Sequence, residues 1–269
     1  MICFPNAKIN LGLHITAKRK DGFHEIETCM YPIPLFDALE IIIDHKKSSW
    51  NSSGLPIPGN PKDNLILKAY QLLKKDFPNL PHINVHLHKN IPMGAGLGGG
   101  SADAAFALNL MNNLFDLILD DFFLEEYAAS LGSDCPFFIQ NMPKIATGRG
   151  EILEEAAIDL KGTHLVLINP GIHIGTKEAY AGVTPASPKK SLKEVLKDRS
   201  KWKDELSNDF ESSVFNSYPE IRGIKEQLYH AGAFYASMSG SGSSVFGLFE
   251  NKSKKIEWEN HYFVFESSL

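Results

Sequence analysis

The chain has 269 residues, of which 43 % are hydrophobic, 22 % charged and 10 % aromatic. That profile excludes a disordered or collagen-like chain and fits one large domain or two medium ones. Lys plus Arg number 27 against 32 for Asp plus Glu, and the net charge of −5 lacks the basic excess of a nucleic-acid or membrane-surface binder.

The N-terminal stretch 1–15 contains Pro5, Asn6 and Lys8, which a signal peptide would not. Within it Lys8 falls among Ala7, Ile9 and Leu11, a strand-like pattern in which Lys8 is either partnered inside or an edge residue facing solvent. The β-branched run 38–44 predicts a strand, and the Ser-, Gly-, Pro- and Asn-rich stretch 48–62 a surface loop. Helical spacing of Leu65, Ile66, Ala69, Leu72 and Leu73 predicts a helix over 63–75 with Asp63 as its cap. Ile83, Val85 and Leu87 alternate with polar residues, which marks a half-buried strand. After a glycine-dense loop, an Ala- and Leu-rich helix is expected over 101–115, with Ser101 or Asp103 near its start. Further expectations are strands at 164–169 and 244–249 and helices at 191–206 and 219–230, the last stopped by Gly232. Irregular mixing of the two element types points to an α+β fold, with a boundary near 155–162.

Some features carry a bland reading. Cys3, Cys29 and Cys135 have no paired spacing, so neither a disulfide framework nor a zinc site is indicated. No apolar run reaches the ~18 residues of a membrane span, and the expected setting is a reducing cytoplasm. Lys18-Arg19-Lys20, Lys189-Lys190 and Lys254-Lys255, the acidic run Asp116, Asp120, Asp121, Glu125 and Glu126, and the face shared by His82, His86 and His88 all suit solvated surface. Asn51-Ser-Ser and Asn251-Lys-Ser match a glycosylation acceptor by pattern only.

The strongest chemical signal is Pro92-Met-Gly-Ala-Gly-Leu-Gly-Gly-Gly-Ser-Ala-Asp103, with Gly94, Gly96, Gly98, Gly99 and Gly100 crowded between a strand and a helix. Glycines let an anion approach backbone amides, and the helix behind them presents free N–H groups and a positive dipole end. Together these make a phosphate cradle, to which Ser101 adds a hydroxyl for a phosphate oxygen or Mg²⁺. A P-loop is excluded because position 100 is Gly where a Lys is required. Gly94, Gly96 and Gly99 keep the spacing of a dinucleotide fingerprint, which leaves an NAD-dependent oxidoreductase as an alternative.

The 92–103 segment resembles the nucleotide loop of the GHMP small-molecule kinases. Pro5-Asn-Ala-Lys-Ile-Asn-Leu-Gly-Leu13 and Ala236-Ser-Met-Ser-Gly-Ser-Gly-Ser-Ser-Val245 resemble that family's N- and C-terminal motifs, in the family's order. The resemblance implies a two-domain α+β fold, the N-terminal domain (1–158) like domain 2 of ribosomal protein S5 and the C-terminal domain (159–269) ferredoxin-like. Lys20-Asp-Gly-Phe-His-Glu-Ile-Glu-Thr28, Asp63-Asn-Leu-Ile66, Gly132-Ser-Asp-Cys-Pro-Phe137 and Gly148-Arg-Gly-Glu151 are similar to the branch acting on a CDP-linked methylerythritol. This implies phosphoryl transfer from ATP to the 2-hydroxyl of that small molecule, in non-mevalonate isoprenoid synthesis. Another GHMP kinase is the alternative within the family.

The same resemblance implies the residue roles. Asp134 is the expected catalytic base; a carboxylate beside an apolar run suits proton acceptance, although a turn aspartate looks alike. Lys8 is expected to partner it and stabilise developing charge. Pro92, Met93, Gly94, Ala95, Gly96, Leu97, Gly98, Gly99, Gly100, Ser101 and Ala102 would bind ATP, with Asn64 and Lys89 near the adenine. Phe23 and His24 would meet the cytosine, Tyr180 its other face, Thr176 a phosphate, and Asn10 the hydroxyls or phosphates. Two departures stand out: Phe23 where the family shows Tyr, and Asn6 where it shows a small residue. Monomer and homodimer are both compatible with the sequence.

Overall fold

The computed structural model describes residues 1–252 and 256–269, so Lys254-Lys255 and the end of the Asn251-Lys-Ser pattern lie outside the described residues. Contacts divide the chain into two compact units. One comprises Met1–Ala7, Leu35–Met93 and Gly98–Met142; the other comprises Lys8–Pro34, Gly94–Leu97 and Pro143–Leu269. Both draw on separated segments, so this division and a boundary drawn along the sequence at 158/159 describe different things. Among the described residues no helix is long and apolar enough to cross a membrane.

The first unit holds a four-stranded sheet in the order Ile2–Cys3, Ala38–Asp44, His82–Lys89, Ser49–Gly54. Its first two pairings are antiparallel and the last is parallel. Alternation buries Ile83, Val85 and Leu87 and exposes His82, His86 and His88, whose ring nitrogens meet the hydroxyls of Ser48 and Ser53. The expected loop at 48–62 is therefore partly a strand. Its side chains lie on the exposed edge, and Ser49 Oγ donates to Asn84 Oδ1 (2.7 Å), so polar residues satisfy it and composition conceals it.

Helix Leu65–Asp76 starts after the expected position. Asn64 caps it, its Oδ1 accepting from Ile66 N at 2.9 Å, while Asp63 ends a 3-10 turn, Pro61–Asp63. Helix Gly99–Leu114 begins earlier than expected because Gly98, at φ +71°, turns the chain into it; neither Ser101 nor Asp103 is the cap. It packs on strand Ala38–Asp44 and on helices Leu65–Asp76 and Asp121–Leu131. The acidic run is divided: Asp120 caps Asp121–Leu131 by accepting from Phe123 N. Asn6 is buried and satisfied, donating to Ala7 O and accepting from Asn141 Nδ2 (2.7 Å).

The second unit contains an antiparallel sheet in the order Tyr235–Met238, Val245–Phe249, His164–Asn169, Phe263–Ser268. Helix Pro219–His230 buries Ile221, Ile224 and Leu228 in the core cluster that also holds Val166, Ile168 and Val245. Gly232, at φ +99°, follows that helix as expected. A further sheet runs Asn6–Lys18, His24–Phe36, Lys144–Thr147, Ile152–Glu155, apart from the ends at 6–7 and 35–36 within this unit. The single helix expected over 191–206 is broken into Leu192–Leu196, a 3-10 turn Arg199–Lys201 and Trp202–Glu205. Asp198 makes the break by accepting from both the backbone N and the hydroxyl of Ser200.

Candidate active site

Strand Asn6–Lys18 buries both faces. Ala7, Ile9 and Leu11 enter the core, while Lys8 and Asn10, each 2 % exposed, face the other way. Polar groups at that burial need partners. Lys8 Nζ donates to Asn10 Oδ1 (2.5 Å) and to Gly96 O (2.9 Å), and Lys8 N donates to Leu97 O (3.0 Å). Asn10 Nδ2 donates to Thr28 Oγ1, which in turn donates to Gly12 O. Lys8 is thus an interior residue and not a solvent-facing edge.

The C-terminal glycine motif reaches the same carbonyl. Ser239 Oγ donates to Gly96 O (2.9 Å), and Ser244 N donates to Ala95 O (3.2 Å). Gly96 has φ +77°, and a Cβ there would lie 1.9 Å from Ser239 O, so only glycine fits. Asn208 Nδ2 braces the motif from behind through Met238 O and Gly240 O, and Glu211 Oε1 accepts from Met238 N and Ser237 Oγ. Three segments that are distant in sequence therefore meet at Gly96. Thr28, Asn208 and Glu211 join this network only through the fold. Their signal was a polar residue among buried neighbours, which only the fold reveals.

In the other unit the glycine loop ends at Gly98 and delivers the N-terminus of helix Gly99–Leu114. Its first amides have no intrahelical acceptor, and a Cβ on Gly100 would meet nothing within 4 Å, so that face is open to an anion. Beside it lies a cavity of about 210 Å³ with apolar walls from Trp50, Ile57, Pro58, Leu65, Leu87 and Met93 and with Asn64 and Gly100 also on its lining. Trp50, Ile57 and Pro58 come from the stretch expected to be plain loop.

Lys89, expected near the adenine, ends the strand before the loop. Its surface is fully buried and its Nζ donates to the carboxylates of Asp37 and Asp103. Asp37 Oδ1 also accepts from Asn90 N (2.6 Å) and Ile91 N (2.9 Å). The group ties the strand before the loop to the helix after it. Burial pushes the Asp103 carboxyl up to about 7, against the opposing pull of Lys89, and its Oδ1 has no hydrogen-bond partner. Asp134 is half-buried in the turn between helices Asp121–Leu131 and Phe137–Gln140. Its neighbour Cys135 is buried, as expected of a small apolar residue, and burial lifts that thiol to about 12.

The aromatic residues lie in the second unit. Phe23 is 53 % exposed at a hairpin tip, facing the Arg149 guanidinium. His24 stacks on Tyr180, with ring centroids 4.6 Å apart and planes 20° apart, and Phe210 meets Tyr180 edge-on. Thr176 is exposed at the first position of helix Thr176–Ala181.

The oxidoreductase alternative needs an open parallel sheet with its fingerprint after a first strand. Here the strand before the loop, His82–Lys89, pairs antiparallel with Ala38–Asp44. A family model described as GHMP kinases N terminal domain matches residues 64–141, and one described as GHMP kinases C terminal matches residues 189–259. The chain belongs to the GHMP kinase family, an α+β class of small-molecule kinases that use ATP. A 4-diphosphocytidyl-2-C-methyl-D-erythritol kinase of Bacteroides fragilis is 54 % identical over 275 residues, covering 100 % of both chains. A kinase of the same name from Cytophaga hutchinsonii is 53 % identical, covering 94 % of this chain and 93 % of that one. A crystal structure of 4-(cytidine 5'-diphospho)-2C-methyl-D-erythritol kinase aligns with TM-score 0.80 at 31 % identity, covering 93 % of this chain and 91 % of its own. The Methanococcus jannaschii mevalonate kinase, at 13 % identity and TM-score 0.69, shares the fold over 100 % of this chain and 98 % of its own.

Proposed function

We propose that this chain transfers the γ-phosphoryl group of ATP to the 2-hydroxyl of 4-diphosphocytidyl-2-C-methyl-D-erythritol, giving the 2-phosphate and ADP, in non-mevalonate isoprenoid precursor synthesis. The observation that carries the reading is the meeting of Lys8, Gly96 and Ser239, which gathers the three family motifs at one carbonyl. Near full-length identity with kinases of that name supports the choice of acceptor.

In phosphoryl transfer the protein chiefly positions groups and neutralises charge. Asp134 accepts the proton of the 2-hydroxyl. Lys8, held by Asn10 and Gly96, stabilises the charge that develops. The amides of the 92–102 loop cradle the phosphates, and the cavity walled by Trp50 and Met93 takes the adenine, with Asn64 on its lining. Lys89 acts from behind, holding the loop's two ends. Phe23 and Tyr180 flank the cytosine, His24 reads its polar edge, and Thr176 and Asn10 meet phosphate or hydroxyl oxygens. Mg²⁺ supplies charge neutralisation on the phosphates. With Mg²⁺ bound beside the nucleotide, the Ser101 hydroxyl at the start of helix Gly99–Leu114 would be its protein partner.

The enzyme works in the cytoplasm on small molecules, as a monomer or homodimer, without nucleic acid or membrane. The same proposal includes an N-terminal domain over 1–158 and a C-terminal domain over 159–269, a division compatible with family-model matches at 64–141 and 189–259. A coupled ADP-release assay with Mg-ATP tests the reading against mevalonate, homoserine, galactose and no acceptor. Release with the CDP-linked acceptor alone is expected. Release with another acceptor in its place would keep the family chemistry and remove the assignment of Phe23, His24 and Tyr180.

A further inference from the structure

Phe23 stands between strands Asn6–Lys18 and His24–Phe36 with its backbone fixed on both sides. Arg19 N donates to Phe23 O (2.8 Å), Phe23 N donates to Asp21 Oδ1 (3.1 Å), and Gly22 turns the chain at φ +88°. The exposed ring is held differently. The Arg149 guanidinium carbon lies 5.1 Å from its centroid, a cation–π contact from the separate turn between Lys144–Thr147 and Ile152–Glu155.

Arg149 is itself anchored. Its backbone N and its Nε donate to the two oxygens of Glu151 (2.5 and 3.2 Å). Burial opposes ionisation of Glu151, but hydrogen bonds from its own backbone and from Arg149 outweigh it and hold the carboxyl below its usual range. Ile26 N donates to Gly148 O (2.8 Å), which fastens this turn to the strand that leaves the hairpin. An exposed aromatic side chain otherwise changes rotamer in picoseconds to nanoseconds. A guanidinium against one face restrains it and leaves the opposite face for a planar partner.

We propose that Arg149 is a positioning residue for acceptor recognition: it holds the Phe23 ring so that the outer face stacks on the pyrimidine of a cytidine diphosphate-linked substrate. The inference rests on the proposed function and adds to it a residue outside the three family motifs. Its action is on acceptor binding and not on ATP or on the transfer step.

The test is a double-mutant cycle of Arg149→Gln and Phe23→Leu. It is read as acceptor KM, ATP KM, kcat and melting temperature, with the affinity of free CDP measured by calorimetry. Arg149→Gln is expected to raise the acceptor KM and the CDP dissociation constant about three- to fivefold. The kcat and ATP KM should hold within about twofold. Arg149→Lys, which keeps a cation, should recover most of the loss. In the Phe23→Leu background Arg149→Gln should add nothing, because the two act as one unit. Three results would overturn the inference: unchanged acceptor KM in Arg149→Gln, an equal loss in both backgrounds, or a parallel loss of kcat, ATP KM and melting temperature. The equal loss would mean that Arg149 touches the acceptor directly. If the wild type neither turns over the CDP-linked acceptor nor binds CDP, the proposed function itself fails; if it does both, the cycle judges Arg149 alone.

Discussion

A lysine that is 2 % exposed has to be held, and Lys8 is held by Asn10 and by the Gly96 carbonyl. This makes Lys8 a fixed charge whose removal should leave ATP binding largely intact while the chemistry suffers. Lys8→Met is expected to lower kcat by about 10²–10³-fold. Asp134→Asn removes the proposed proton acceptor and should cost about 10²–10⁴-fold in kcat, with ATP affinity retained in equilibrium dialysis. Retained turnover in Asp134→Asn would remove it as the base. The pattern around Lys8 leaves it either partnered inside or at a solvent-facing edge, and Asn10 enters only through the family resemblance; the fold decides for the interior, where both are 2 % exposed. The buried ion pairs of Lys89 were not legible, since the resemblance points only to the adenine end of ATP. The carboxylate partners of Lys89 lie 52 and 14 residues away, and only the fold brings them to it.

The elements that deliver the glycine loop are fixed at both ends by contacts that tolerate little change. Gly96→Ala would force a side chain into φ +77° and against Ser239 O, at a cost of at least about 2 kcal/mol. Chemical denaturation should show that loss together with loss of turnover; a variant as stable as wild type would contradict the packing described. Lys89→Met would leave Asp37 and Asp103 buried without their cation and should destabilise by about 3–5 kcal/mol. The raised carboxyl of Asp103 also gives stability a pH dependence. The folded state holds the proton more tightly than the unfolded chain, so the contribution is present below about 4 and is lost as pH rises through about 7. Melting temperature measured across that window should fall less steeply in Asp103→Asn than in wild type. The long periodic helices and alternating strands were legible for the usual reason, the hydrophobic period. Strand Ser49–Gly54 was not, because an exposed edge paired through Ser and Asn carries no apolar signal. The break at Asp198 was hidden because a side chain capping the next turn competes with a helix that the period alone would continue.

At the scale of the whole molecule, the order of three motifs along the chain carried the family, since each motif alone is a common kind of turn. What the sequence could not show is that each compact unit is assembled from separated segments, with the glycine loop itself divided at Leu97 and Gly98. Nor could it show that Ser239 reaches Gly96 across 143 positions. Transfer of one phosphate to one hydroxyl of one acceptor leaves a product that phosphorus NMR distinguishes from every alternative. Phosphorus NMR of the product from Mg-ATP and 4-diphosphocytidyl-2-C-methyl-D-erythritol should show one new phosphomonoester on the tertiary 2-hydroxyl, with the diphosphate bridge intact and one ADP formed per product. A phosphate on any other hydroxyl, or ADP formed without a new phosphomonoester, would contradict the account.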